Sequence, residues 1–187
     1  MEAISMQGGF VNAPVDSAVA FRAALDAMSR PGTVLSVRGA LAPKPLSCAA
    51  AVLALTLCDP DTPVWLGASL DVQAIRDWFR FHTSAPLVGR DDATFAFGRW
   101  DELVPINDFR IGTPEFPDRS ATLIVEMEAI GQAHRLTGPG IREHAMLGVP
   151  DLAAFRMNAA LFPLGLDFFL CAGDRLAAVP RTAKVEG

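Results

Sequence analysis

The sequence predicts a single α/β domain, a mixed β-sheet with helices packed on its faces, and three observations carry that reading. Helical periods alternate with short apolar runs through the first half of the chain, whereas strand-like runs cluster in the second. Alternation implies crossover units and clustering implies hairpins, which together make a mixed sheet. A chain of 187 residues, 51% apolar and 20% charged, can bury about 70% of its unfolded surface in one core. No internal repeat, low-complexity tract or linker divides it, so residues 1–187 are read as one domain.

The first helix is written in PVDSAVAFRAALDAMSRPG, where Val15, Val19, Phe21, Leu25 and Met28 recur near helical spacing. Asp16 or Ser17 is the expected N-cap, and Pro31-Gly32 is the stop. TVLSV then reads as a strand, through its β-branched alternation. Residues 46–57 are apolar almost all round and alanine-rich, the pattern of a helix buried between other elements. After the breaker Asp59-Pro60-Asp61-Thr62-Pro63, residues 64–66 predict a short buried strand, and 71–82 an amphipathic helix with Val72, Ile75, Trp78 and Phe79 on one face. Residues 86–88 and 94–97 read as further strands.

The pattern dissolves over 100–118, where GTPEFPD packs turn-formers together: a loop with one short helix at most. ATLIVEMEAI, 121–130, is the best strand in the chain, and 134–136 is expected to partner it before a turn at Thr137-Gly138-Pro139-Gly140. Residues 151–161 are helical. Residues 166–171 and 176–179 form a hairpin about Gly173-Asp174. From about residue 180 the chain is polar, which suits either a solvated end or a short extension docking onto a partner.

Charge and composition exclude several classes. Net charge is −5 and no Lys/Arg-rich run exists, so no nucleic-acid footprint is present. Lys44 and Lys184 are the only lysines; the remaining cations are arginines. The longest uncharged apolar stretch is shorter than the roughly 20 residues a membrane helix requires, and the N-terminus carries an acid where a secretory signal would carry positive charge. Cys48, Cys58 and Cys171 lie apart in apolar runs, like buried hydrophobes in a reducing compartment, so the cytoplasm is expected. The apolar share is generous for a surface wholly in water and hints at a buried interface.

The catalytic inventory is thin. There is no GxxxxGK[ST] phosphate loop, no GxGxxG after a strand and no GxSxG elbow. His82, His134 and His144 lack metal-ligand spacing. Asp59 and Asp61 fit either a metal or a turn that they organise themselves. His82, closing a helix, fits either an acid or anion ligand or a cation held by the helix dipole. Arg135 and Thr137, running into the Gly138 and Gly140 turn, fit either an anion cradle or a plain hairpin.

Six segments taken together, FRAALDAMSRPG, DPDTPVWL, FHTSAPLV, RLTGPGI, FPLGLDFFL and VPRTAKVE, stand in the order and placement of the PhnH family of phosphonate-metabolism proteins. The chain resembles that family from about residue 21 to 186. The resemblance implies the H subunit of the bacterial carbon–phosphorus lyase core complex, with the G, I and J subunits as partners and a homodimer when isolated. It implies an accessory, non-catalytic part in moving an alkylphosphonate onto ribose, with ATP as donor, to form ribose 1-methylphosphonate 5-triphosphate. ATP and the iron–sulfur cluster belong to other subunits in that scheme.

The family fold is similar to the large domain of pyridoxal-phosphate-dependent transferases, a three-layer α/β/α arrangement, without the cofactor. No PLP is expected here, since Lys44 lies between prolines and Lys184 in the polar end, neither placed at a strand end. No catalytic residue is assigned. Arg135, Thr137, Arg181 and His82 form a candidate anion-binding set where family motifs coincide with anion-friendly chemistry. The competing reading is a stand-alone small-molecule enzyme or ligand-binding domain with its pocket around Arg135.

Overall fold

The computed structural model describes residues 8–187. Helix α1 (Ala13–Ser29) packs Ala20, Ala24 and Ala27 inward. Small side chains there let it lie close against α2 (Cys48–Leu57), whose residues Ala49, Ala50, Ala51 and Ala54 are buried. Asn12, not Asp16 or Ser17, is the N-cap of α1. Pro14 sits at the start of the helix, where its missing N–H costs nothing. The Asp16 carboxylate accepts the Asn12 N–H at 2.8 Å, so the acid belongs to the first turn, facing the dipole's positive end.

Six strands form the main sheet in the order β1-β8-β7-β4-β3-β2. They are β1 (Leu35–Ser36), β2 (Val64–Leu66), β3 (Phe95–Arg99), β4 (Thr122–Glu126), β7 (Asp167–Ala172) and β8 (Arg175–Val179). β2, β3, β4 and β7 run parallel; β8 is antiparallel to both its neighbours. Alternation along the strands divides the core. Phe97, Ile124, Phe169 and Ala178 face α1, α2 and α3 (Gln73–His82). Ala96, Leu123, Phe168, Leu170 and Ala177 face the other way, with Leu103 and Phe155. Those last two belong to α4 (Trp100–Leu103) and α5 (Leu152–Ala160).

The mixed sheet with helices on both faces is as the sequence predicts, with one addition. The second face is also covered by a separate three-stranded antiparallel sheet, β6-β5-β9, made of β5 (His134–Thr137), β6 (Ala145–Leu147) and β9 (Lys184–Glu186). Leu136, Leu147 and Val185 turn one residue from each strand into the core. The strand at 134–137 therefore does not partner β4, which ends at Glu126 rather than near 130. Residues 86–88 give only a single parallel bridge, Leu87 to Val64, and the strand expected in TVLSV shortens to two residues.

The C-terminal segment is not a solvated end. β9 pairs with β5, and Ala183 and Val185 are buried. Arg181 anchors it: its guanidinium meets Asp167 Oδ2 at 2.5 Å, the Pro117 carbonyl at 2.6 Å and the Ser120 hydroxyl. The 100–118 stretch is likewise pinned. Arg90 donates to the carbonyls of Glu102 and Val104, pairs with Asp108 at 3.3 Å and stacks over Trp65 and Phe109.

Candidate functional site

The carboxyl ends of the parallel strands open into a cleft of about 1170 Å³. In open α/β sheets the crevice beyond those ends is where ligands are taken. One wall is the segment from Lys44 to Cys48, leading into α2, and the facing wall is Arg99, Trp100 and Asp101 at the β3–α4 junction. Ser69 and Leu70 follow β2, Glu126 ends β4 and residues 127–129 follow it, and Gly173 and Asp174 form the turn after β7. Five chain segments far apart in sequence thus meet at one place.

Two carboxylates hold the walls together. Glu102 accepts the Ser69 N–H at 2.6 Å, the Ser69 hydroxyl at 2.8 Å and the Arg99 N–H at 3.0 Å, tying the loop after β2 to the start of α4. Gly67 and Gly98 make room for it. A Cβ on Gly67 would lie 2.5 Å from Glu102 Oε2, and one on Gly98 3.4 Å from the same atom. On the other side Glu126 Oε1 accepts the Ser47 N–H at 2.8 Å, joining the end of β4 to the N-cap of α2. Burial pushes the Glu126 carboxyl above the usual glutamate range, and the Ser47 hydrogen bonds oppose this only in part. Behind it, burial raises the Cys171 thiol still further, with the Glu126 charge adding to the effect.

The first turn of a helix aimed at such a crevice normally offers N–H groups to an anion. At α2 three of them are already engaged. Ser47 N–H goes to Glu126, Ala49 N–H to the Gly173 carbonyl at 2.9 Å, and Ala50 N–H to Ser47 Oγ at 3.1 Å. Four carboxyl groups, Asp101, Glu126, Glu128 and Asp174, face two cations, Lys44 and Arg99. Arg99 pairs with Asp101 at 3.3 Å, both well exposed. The cleft is acidic on balance, and most of the N–H groups at its helix end are taken by the protein's own groups.

The residues singled out from sequence lie elsewhere. Arg135 and Thr137 sit on β5 in the second sheet, where the exposed Arg135 pairs with Glu186 at 3.4 Å. Thr137 stands opposite Lys184 in the β5–β9 register, close to Arg181 in sequence. The Arg181 guanidinium points instead to Asp167 and Ser120. His82 ends α3 on the opposite face of the main sheet, against Trp78 and Phe81. Its buried Nε2 has no partner among the described residues, and burial lowers its pKa. The structure brings Arg135 and Thr137 together and leaves His82 apart.

Two further sequence readings resolve. Asp59 organises its turn, its side chain accepting the Asp61 N–H at 2.9 Å. Among the described residues no group of three or more His, Cys, Asp and Glu side chains is placed to hold a metal ion. Lys44, set aside as remote from any strand end, does line the cleft at the strand ends. The legible signal was glycine: Gly67 and Gly98 each stand at or just past the end of a strand, where a close approach is needed.

Fold and site together define an α/β protein with an acidic cleft at the carboxyl ends of its parallel strands and the start of its central helix. The chain belongs to the PhnH family of bacterial phosphonate metabolism proteins, whose model matches residues 8–186. It is 40% identical, over 96% of its length and 94% of the relative's, to the alpha-D-ribose 1-methylphosphonate 5-triphosphate synthase subunit PhnH of Rhizobium meliloti (strain 1021). A shorter match, 35% identical over 41% of this chain and 43% of the relative, is to the "Putative C-P lyase subunit protein HtxG" of Stutzerimonas stutzeri. No helix among the described residues is long and apolar enough to cross a membrane.

Proposed function

We propose that this chain is an accessory, non-catalytic subunit of a ribose 1-methylphosphonate 5-triphosphate synthase of the carbon–phosphorus lyase system. The observation that carries the reading is the 40% identity to a synthase subunit across nearly the whole of both chains. The structure supports it chemically. The half-buried carboxyl groups of Glu126 and Glu102 are spent on backbone N–H groups, and the most enclosed arginine on an internal carboxylate. Such groups position walls rather than move protons.

The finer features follow from the same reading. The partners are the G, I and J subunits, the isolated chain is a homodimer in the cytoplasm, and ATP and the iron–sulfur cluster are handled by other subunits. The sheet is similar to the large domain of PLP-dependent transferases, a likeness supported by its parallel centre and strand-end cleft. No PLP is bound: Lys44 lies in a loop flanked by prolines and leading into α2, not on a strand. Exposed Val15, Val19, Phe21 and Leu25 on the outer side of α1 give the apolar surface that an assembled subunit would cover. Co-expression with the G, I and J subunits tests the reading. A complex holding this chain in fixed stoichiometry is expected; a chain that elutes alone contradicts it.

A further inference from the structure

We infer that the strand-end cleft is a docking pocket for a basic side chain, an arginine or lysine presented by another subunit, rather than a site for ATP or a phosphonate. The inference deepens the subunit reading above and rests on it. Three features of the cleft select the charge of its occupant. At the α2 N-terminus, the place where an anion would sit, three N–H groups are taken by Glu126, the Gly173 carbonyl and the Ser47 hydroxyl. A phosphate arriving there would displace an internal carboxylate and meet its charge.

The remaining carboxyls then set the field. Glu128 is exposed and makes no ion pair among the described residues, and Asp174 is exposed with only the Ser36 hydroxyl on it, at 2.7 Å. Among the described residues Asp101 is held by Arg99 alone, through a long and solvent-exposed contact of low energy. A cleft lined mainly by one sign of charge attracts the opposite charge.

The walls match the stem of such a side chain. Leu46, Leu70, Met127 and the indole of Trp100 line the cleft between the acids. Arginine and lysine lay their methylene stems along apolar surface while the head reaches charge, and a guanidinium also stacks on indole. The exposed Lys44 also lines the cleft, without an ion pair among the described residues, and would meet the partner's own acids.

The test measures binding of the intact chain to the synthase assembly purified without it. Glu128→Lys, and separately Asp174→Asn, should each fold with unchanged helical signal, and Glu128→Lys should bind about tenfold more weakly, with reduced sensitivity to salt. Glu115→Lys, the same change of net charge on the far loop, should bind as wild type does. Wild-type chain that fails to bind at all overturns the subunit reading itself. Wild-type chain that binds while Glu128→Lys and Asp174→Asn bind equally well leaves that reading standing and overturns the pocket. Stabilisation of the chain by ATP or methylphosphonate that is lost in Lys44→Ala also overturns it, because the cleft would then hold an anion.

Discussion

Glu126 at the end of β4 and Ser47 at the start of α2 are joined by a hydrogen bond of 2.8 Å from the Ser47 N–H to Glu126 Oε1. The bond carries α2, a helix buried from Ala49 to Ala54, onto the carboxyl end of the parallel sheet, and so shapes the cleft. Its acceptor is an ionisable group in a poorly hydrated place. Burial raises the Glu126 pKa in the folded chain above its ordinary value near 4.5. The folded state therefore favours the protonated form. Stability from this group is full below the ordinary pKa and is lost as pH rises through the raised one.

Glu126→Gln keeps the accepting oxygen and removes the charge. The variant is expected to be more stable than wild type to urea at pH 8, with the difference closing as pH falls towards 4.5. A wild-type advantage at pH 8 would mean that the charge itself, drawn by the α2 dipole, outweighs its desolvation.

Arg181 and Asp167 form an ion pair with side chains only 13% and 24% exposed. Removing one member leaves the other charged and poorly solvated. Arg181→Met is expected to cost about 3 kcal/mol in urea unfolding. Arg135→Ala, which breaks an exposed pair with Glu186, is expected to cost less than about 1 kcal/mol. Equal losses in the two variants would contradict the assignment of Arg181 as the anchor of the C-terminal strand.

The RLTGPGI turn is built by close approach. A Cβ on Gly140 would fall 1.9 Å from the Ser29 carbonyl oxygen, and its φ is +81°. The backbone of that turn thus rests on the end of α1. Gly140→Ala is expected to lose about 2 kcal/mol or more through overpacking and backbone strain. Gly131→Ala, with nothing within 4 Å of its Cβ, is expected to change stability by less than about 0.5 kcal/mol. Thermal melts of the two variants decide it.

Cys58 and Cys171 are buried, and burial raises both thiols. Cys48, at the cleft, is only half-buried, and its smaller rise has the same leading cause. A thiol-reactive disulfide reagent at pH 8 is therefore expected to modify at most one cysteine of the native chain, Cys48, and all three in denaturant. Rapid reaction of a second thiol in the native chain would show that the sheet centre is open.

How far the sequence shows this molecule depends on the length of each element. Helices α1, α2, α3 and α5 span at least nine residues each, long enough for periodicity or uniform burial to declare itself. β6 and β9 have three residues each. Within three residues, alternation cannot be told from a loop, so the second sheet was hidden and Lys184 to Glu186 read as tail. The cleft was hidden for another reason. Ser47, Arg99, Glu126 and Asp174 each follow or precede a different element, and only the lateral order of the strands brings them together. Arg135 suggests an anion site because it runs into a glycine turn, and Arg181 because it stands in the family-like segment VPRTAKVE. In the fold both meet carboxylates of this same chain, Glu186 and Asp167.

The most direct measurement is reconstitution of phosphonate transfer to ribose from the purified synthase subunits with and without this chain. The expected result is that transfer from ATP fails when the chain is omitted and returns when it is added back, while the chain alone turns nothing over. Full transfer in its absence would contradict the account, as would turnover of ATP by the isolated chain.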